Sequence, residues 1–262
     1  MVSGTENIAL EVKGLSKSFG GVKAVSDVHF NVRQGELLAL IGPNGAGKTT
    51  CFNMLNGQLR PNAGSVIFDG NQLVGRRPRR IWRMGVGRTF QITATFQTMT
   101  VRENVQMALI SHHRGIFDLF RSAASRHVAE ADALLELVGI SDQADRACGV
   151  LAYGDLKRVE LAIALANEPK LLLMDEPTAG MAPKERMDLM RLTKKIVAEK
   201  GLSVLFTEHD MDIVFGQADR IIVLNRGQLV AEGKPEEVRA DPLVQQVYLG
   251  AGTTYGAEKA DA

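Results

Sequence analysis

Residues 42–50 read Gly-Pro-Asn-Gly-Ala-Gly-Lys-Thr-Thr, and Glu36-Leu-Leu-Ala-Leu-Ile41 stands directly before them. A short apolar run that ends in glycine reads as a buried strand. The spacing G-x-x-x-x-G-K-[ST] after it is that of a phosphate-cradling loop entering a helix. Glycines at 42, 45 and 47 let the backbone turn with its N–H groups inward, and the helix adds the positive end of its dipole. Lys48 can reach the β- and γ-phosphates as a mobile charge, while the Thr49 hydroxyl suits Mg²⁺. A plain glycine turn needs neither that lysine nor the adjacent hydroxyls. The nucleotide-contacting set is therefore Gly42, Pro43, Asn44, Gly45, Ala46, Gly47, Lys48, Thr49 and Thr50.

On the amino-terminal side, residues 8–32 alternate apolar and polar positions around Phe19-Gly20-Gly21, which predicts an antiparallel hairpin. A further strand is expected at 65–69. From about 93 to 166 the spacing turns helical, with apolar faces at Val101–Ile110, Ala123–Val138 and Leu156–Ala166. Two apolar strands, 170–174 and 202–207, then flank a helical pattern at 184–199, a parallel βαβ arrangement. Residues 221–224, Arg226-Gly227 and 228–231 predict a closing hairpin. One domain over 1–250 with a helical subdomain at about 92–166 is expected, followed by a disordered tail, 251–262.

Leu171-Leu-Leu-Met-Asp175-Glu176-Pro177 is an apolar strand that ends in paired acids, at the strand end where open α/β sheets place ligands. Asp175 is placed to hold Mg²⁺. Glu176 is the candidate general base for an attacking water. His209 follows the next strand in Thr207-Glu-His-Asp210 and should emerge beside the same edge, positioned to sense the γ-phosphate.

Composition narrows the rest. A net charge of +1, from 31 basic and 30 acidic residues, gives no field to recruit nucleic acid. Two cysteines make neither a disulfide framework nor a metal set, in keeping with a reducing compartment. The opening residues lack a secretory signal, and no apolar stretch reaches the ~18 residues of a membrane-spanning helix, so membrane work would fall to other subunits.

Leu151-Ala-Tyr-Gly154-Asp-Leu-Lys-Arg158 resembles the LSGGQ signature of ABC ATPases, and it lies where that family has it, between the phosphate loop and the acidic strand. The resemblance covers nearly the whole chain. It implies a P-loop NTPase of ABC ATPase type, α/β, with a RecA-like parallel-sheet core, an N-terminal antiparallel β subdomain and an inserted helical subdomain. It also implies that Phe19 stacks on adenine, that Gln91 contacts the metal and the catalytic water, that residues 179–182 form the D-loop, and that His209 is the switch histidine. ATP and Mg²⁺ are the expected cofactors. A head-to-tail dimer is implied, with Ala152, Tyr153, Gly154 and Asp155 of one chain covering ATP on the other; this chain would pair with itself or with a paralogue.

The departures from that pattern are Ala152 for serine, Tyr153 for glycine, Asp155 for glutamine and Ala182 for the D-loop aspartate; slower hydrolysis is expected. Arg88-Thr-Phe-Gln91, the stretch 107–138, the Leu-Ala-Tyr-Gly signature and the ending Ala231-Glu-Gly-Lys-Pro look most like ATPases of branched-chain and hydrophobic amino acid importers. Such ATPases work at the cytoplasmic face of the plasma membrane with two permease subunits and a solute-binding protein. Related ATPases serve urea, amides, aromatic acids or lipid export. A soluble non-transport ABC ATPase is the alternative from another class, but this chain has neither the long insertion nor the second cassette of such proteins.

Three features are read as structural and one is left open. The arginines between 76 and 88 are expected to form a solvated face. His112-His113 reads as a surface pair with no third ligand. Met181, Met187 and Met190 are expected in a helix core. Cys51 is either an activated thiol or, if buried, an inert one.

Overall fold

Strand β3 (Leu37–Ile41) is apolar at every position because both of its faces are covered. Leu37, Ala39 and Ile41 enter one core while Leu38 and Leu40 enter another. The same parity divides Leu172 and Met174 from Leu171 and Leu173 on β7 (Leu171–Asp175), and Val204 and Phe206 from Leu205 on β8 (Ser203–Thr207). Each such leucine contributes roughly 1.5–3 kcal/mol when fully buried, and a one-residue slip would swap the two cores, so the register is strongly specified.

The computed structural model describes residues 7–89, 95–113 and 126–249. These three strands belong to a sheet ordered β10-β9-β3-β8-β7-β6, with β6 (Val86–Thr89) and β9 (Arg220–Asn225) parallel to them and β10 (Gln228–Gly233) antiparallel at the edge. A second sheet, β2-β1-β4-β5, is antiparallel and joins β1 (Ile8–Phe19), β2 (Val22–Arg33), β4 (Ala63–Phe68) and β5 (Asn71–Gln72). It closes one face of the main sheet together with α1 (Lys48–Leu55), whose Cys51, Phe52, Met54 and Leu55 share that core.

The opposite face carries α3 (Val101–His112), α4 (Val128–Leu137), α5 (Tyr153–Leu165), α6 (Pro183–Lys200) and α7 (Met211–Gln217). The helical segment thus shares its core with the sheet. Thr100 starts α3 with a capping box: its hydroxyl accepts from Glu103 N at 3.1 Å and Glu103 Oε2 accepts from Thr100 N at 2.8 Å. Two short helices, α8 (Pro235–Ala240) and α9 (Pro242–Leu249), follow the hairpin.

The expected hairpins, strands and βαβ unit are present. Helix α2 (Pro78–Arg83) and strand β6 are additions, hidden from the sequence by the density of arginines there. The expected start of the second helix at Ala123 and the tail 251–262 lie outside the described residues. Met181 and Met190 are buried, but Met181 precedes α6 rather than lying on it. His112 corrects the surface reading: it is half-buried, edge-on to Trp82 at 5.9 Å, with Nδ1 2.8 Å from Asn167 Oδ1.

Candidate active site

The loop from Gly42 to Gly47 is shaped by contact. A Cβ on Gly42 would lie 2.2 Å from the carbonyl oxygen of Leu224, and one on Gly47, where φ is +105°, 2.5 Å from that of Ala24. Only glycine fits at either point, and the loop is pressed onto the ends of β9 and β2 before α1 begins. No acidic residue occupies the first turn of α1, so its positive end is left for an anion. Lys48 is 7% exposed and folds over its own loop, donating to Gly42 O at 2.6 Å and Pro43 O at 3.2 Å. Burial pulls its pKa below the usual ammonium value, and the nearby Glu176 and Asp175 carboxylates push it back up.

Those two carboxylates come from the end of β7. Asp175 is 4% exposed; its Oδ1 accepts from the Thr207 hydroxyl at 2.8 Å and its Oδ2 faces Arg88 Nη2 at 3.4 Å. Arg88 itself is held by Asn53 and Gln58 at 3.2 and 2.9 Å. Consecutive side chains on a strand point to opposite faces, yet Asp175 and Glu176 both act on Lys48. The alternation is broken by Glu176, which adopts a left-handed backbone at φ +49°. That bend is tied down by the Glu176 N–H, which donates to the Thr207 hydroxyl at 3.0 Å.

His209 Nε2 lies 2.9 Å from Glu176 Oε1, so the last two residues expected at this edge meet. Behind them Glu208, 4% exposed, accepts from Thr178 N at 2.9 Å, from the Thr178 hydroxyl at 2.5 Å and from His209 N at 3.2 Å. Burial raises its pKa above the usual carboxylate value, with the Thr178 and His209 hydrogen bonds opposing. One buried carboxylate therefore joins the loop after β7 to the loop that carries His209.

Helix α5 starts at Ala152, which offers no side-chain hydrogen bond to cap it. The exposed Tyr153 ring lies 3.2 Å from where a Cβ on Gly180 would stand, and a Cβ on Gly154 would lie 3.2 Å from the Glu185 carboxylate. The start of α5 thus rests on Gly180 and Glu185 of its own chain. Phe19 ends β1 half-exposed, with Lys17 Nζ 5.4 Å from its ring centre. Thr49 is exposed and Thr50 half-buried. Gln91 lies outside the described residues. The sequence assigned no site role to Thr178, Thr207 and Glu208, and it offered Arg88 only as part of a basic run and of the Arg88-Thr-Phe-Gln91 segment. The one usable signal was a polar Thr-Glu pair closing an apolar strand in register with Asp175.

Residues 25–179 match the family model for the ABC transporter. The chain belongs to the ABC transporter family. Residues 228–253 also match a model described as the branched-chain amino acid ATP-binding cassette transporter. BraF of Pseudomonas aeruginosa, a high-affinity branched-chain amino acid transport ATP-binding protein, is 41% identical over 249 residues, covering 92% of this chain and 97% of its own. LivG of Escherichia coli, of the same description, is 41% identical over 251 residues, with 92% and 97% covered. Among solved structures, the ADP conformation of the ATP-binding cassette MJ1267 superposes with a TM-score of 0.83 at 33% identity, covering 93% of this chain and 99% of that one. A dimeric post-hydrolysis state of the cassette MJ0796, bound to ADP and Pi, gives 0.74 at 27% identity, covering 86% and 98%. As an ABC ATPase the chain binds nucleotide and couples ATP hydrolysis to transport. Among the described residues no helix is long and apolar enough to cross a membrane.

Proposed function

We propose that this chain is the ATP-hydrolysing subunit of an importer for branched-chain or other hydrophobic amino acids. It would work at the cytoplasmic face of the membrane, paired with a second ATPase chain and two permease subunits fed by a solute-binding protein. The observation that carries the reading is the 41% identity to BraF and LivG across nearly their whole length, joined by the separate match at 228–253.

The geometry supports a defined division of labour. Lys48 leaves its own loop carbonyls for the phosphates, and the backbone N–H groups between Gly42 and Thr50 complete the cradle. Thr49 and Asp175 supply hard oxygen donors on either side of that cradle, which suits Mg²⁺. The cation, when bound, neutralises charge on the transferred phosphoryl group. Glu176 takes the proton of the attacking water, and His209, bonded to its Oε1, holds that carboxylate in place. Gln91 is assigned to the same water. Phe19, exposed at the end of β1, stacks on the base. Ala152, Tyr153, Gly154 and Asp155 present the start of α5 to the γ-phosphate of the partner chain.

Reconstitution with the cognate permeases and receptor in ATP-loaded proteoliposomes tests the substrate. Leucine, isoleucine and valine uptake that needs ATP and is lost with Glu176→Gln is expected. Uptake of urea or amides alone, or outward lipid movement, would refute the assignment.

A further inference from the structure

Away from the nucleotide site, the end of α3 and the start of α4 bring three ligand-type side chains together. His113 follows the last residue of α3, His127 precedes the first of α4, and Glu130 lies within the first turn of α4. His113 Nε2 is 3.1 Å from Glu130 Oε2, and His127 Nδ1 is 2.8 Å from Glu130 Oε1. The donor atoms of all three lie within 4.8 Å of one another, and among the described residues no other trio of histidine, cysteine or acidic side chains does this.

We propose that His113, His127 and Glu130 form a binding site for a borderline divalent cation of the Zn²⁺ kind, with the remaining coordination open to water. Two imidazoles and one carboxylate are a donor set for Zn²⁺, Co²⁺ or Ni²⁺ rather than for Mg²⁺ or Ca²⁺, which take oxygen. The backbone adds an independent reason. His127 sits at φ +52°, a left-handed conformation that costs a non-glycine residue about 1–3 kcal/mol, and it does not spend its side chain on capping α4. The imidazole is turned to Glu130 instead.

The two rings stack at 4.7 Å with planes 8° apart. Parallel rings do not aim their in-plane lone pairs at one point, so capture requires one ring to turn. His113 has room to do so: its side chain is 44% exposed and borders a cavity of about 400 Å³ floored by Leu109, Leu134 and Leu137. A bound ion ties the end of α3 to the start of α4 and stabilises the fold by mass action.

The test is titration of the full chain with ZnCl₂ in excess Mg-ADP, which covers the catalytic carboxylates, read by calorimetry and thermal unfolding. One equivalent bound with a rise in Tm is expected, unaffected by excess Ca²⁺. His113→Gln, Glu130→Gln and His127→Asn, the last keeping a residue that tolerates the left-handed backbone, should each weaken binding at least about tenfold, since even the loss of an outer-shell partner costs ~10–100-fold. His29→Gln, which removes a histidine bonded to Asp27 and the Gly14 N–H away from this site, should leave Zn²⁺ binding unchanged. Co²⁺ loading should give visible bands that the variants lose while their circular dichroism stays unchanged. Should His127→Asn be poorly folded, Glu130→Gln at its half-exposed helix position decides alone. No saturable binding, or equal binding by wild type and Glu130→Gln, overturns the proposal and leaves a histidine–carboxylate cluster only.

Discussion

Lys48, Asp175, Glu176 and His209 are each fixed by hydrogen bonds from neighbouring loops or strands of the same chain, whereas the start of α5 packs against its own chain without a side-chain cap. Lys48 and Asp175 are buried, Glu176 is half-buried and His209 exposed, and both carboxylates are near enough to raise the lysine's pKa against its burial. At α5, Ala152 donates no cap, Asp155 occupies the first turn and Glu185 stands beside Gly154. Both acids favour the bare helix end, and both oppose an incoming phosphate. One half of the proposed site is preorganised within a single chain. On the proposed function the other becomes useful only when a second chain's nucleotide outcompetes these local charges, which would make dimer closure the costly step for this sequence.

Attacking the preorganised half should give the largest effects. Glu176→Gln should cut turnover at least about a hundredfold, the range for a general base, while nucleotide affinity by fluorescence titration is kept; normal hydrolysis would break the assignment. Lys48→Ala removes charge-assisted contacts worth ~1.5–3 kcal/mol, so nucleotide affinity should fall about 10–100-fold in equilibrium binding. Glu208→Gln loses one bond of three and should lower kcat several-fold at constant KM, the sign of a positioning residue.

Glu208 also makes a pH prediction. Its folded pKa is raised, so the folded state favours the protonated acid. Its contribution to stability is present below the ordinary value of 4.5 and is lost as pH rises through the folded value. The Tm of wild type minus that of Glu208→Gln should therefore fall with rising pH and then level off. The smallest effects belong to the α5 end. Ala152→Ser supplies the missing cap and should stabilise the chain by about 1 kcal/mol in urea unfolding, with a few-fold gain in turnover. A gain in stability without one in turnover would separate capping from phosphate contact.

Legibility followed the local rules. The phosphate loop, the acidic strand and His209 could be read because each is a short motif at the end of an apolar run, where parity and strand order confine the side chains to one sheet edge. Arg88 could not, since its partners Asn53, Gln58 and Asp175 lie 30 to 87 residues away. Thr178 and Glu208 meet across 30 residues for the same reason. The trio around Glu130 assembles only where the end of α3 meets the start of α4, 14 or more residues on. Cys51 was ambiguous until burial was known: its thiol is pushed up to about 12, so it should resist iodoacetamide at pH 8 in the folded chain.

The left-handed turn at Glu176 has a thermodynamic corollary. Glycine would relax that backbone, and Glu176→Gly should yield a protein harder to melt and unable to turn over ATP. The same substitution would therefore raise robustness and abolish work, a trade of stability against activity held at one backbone angle.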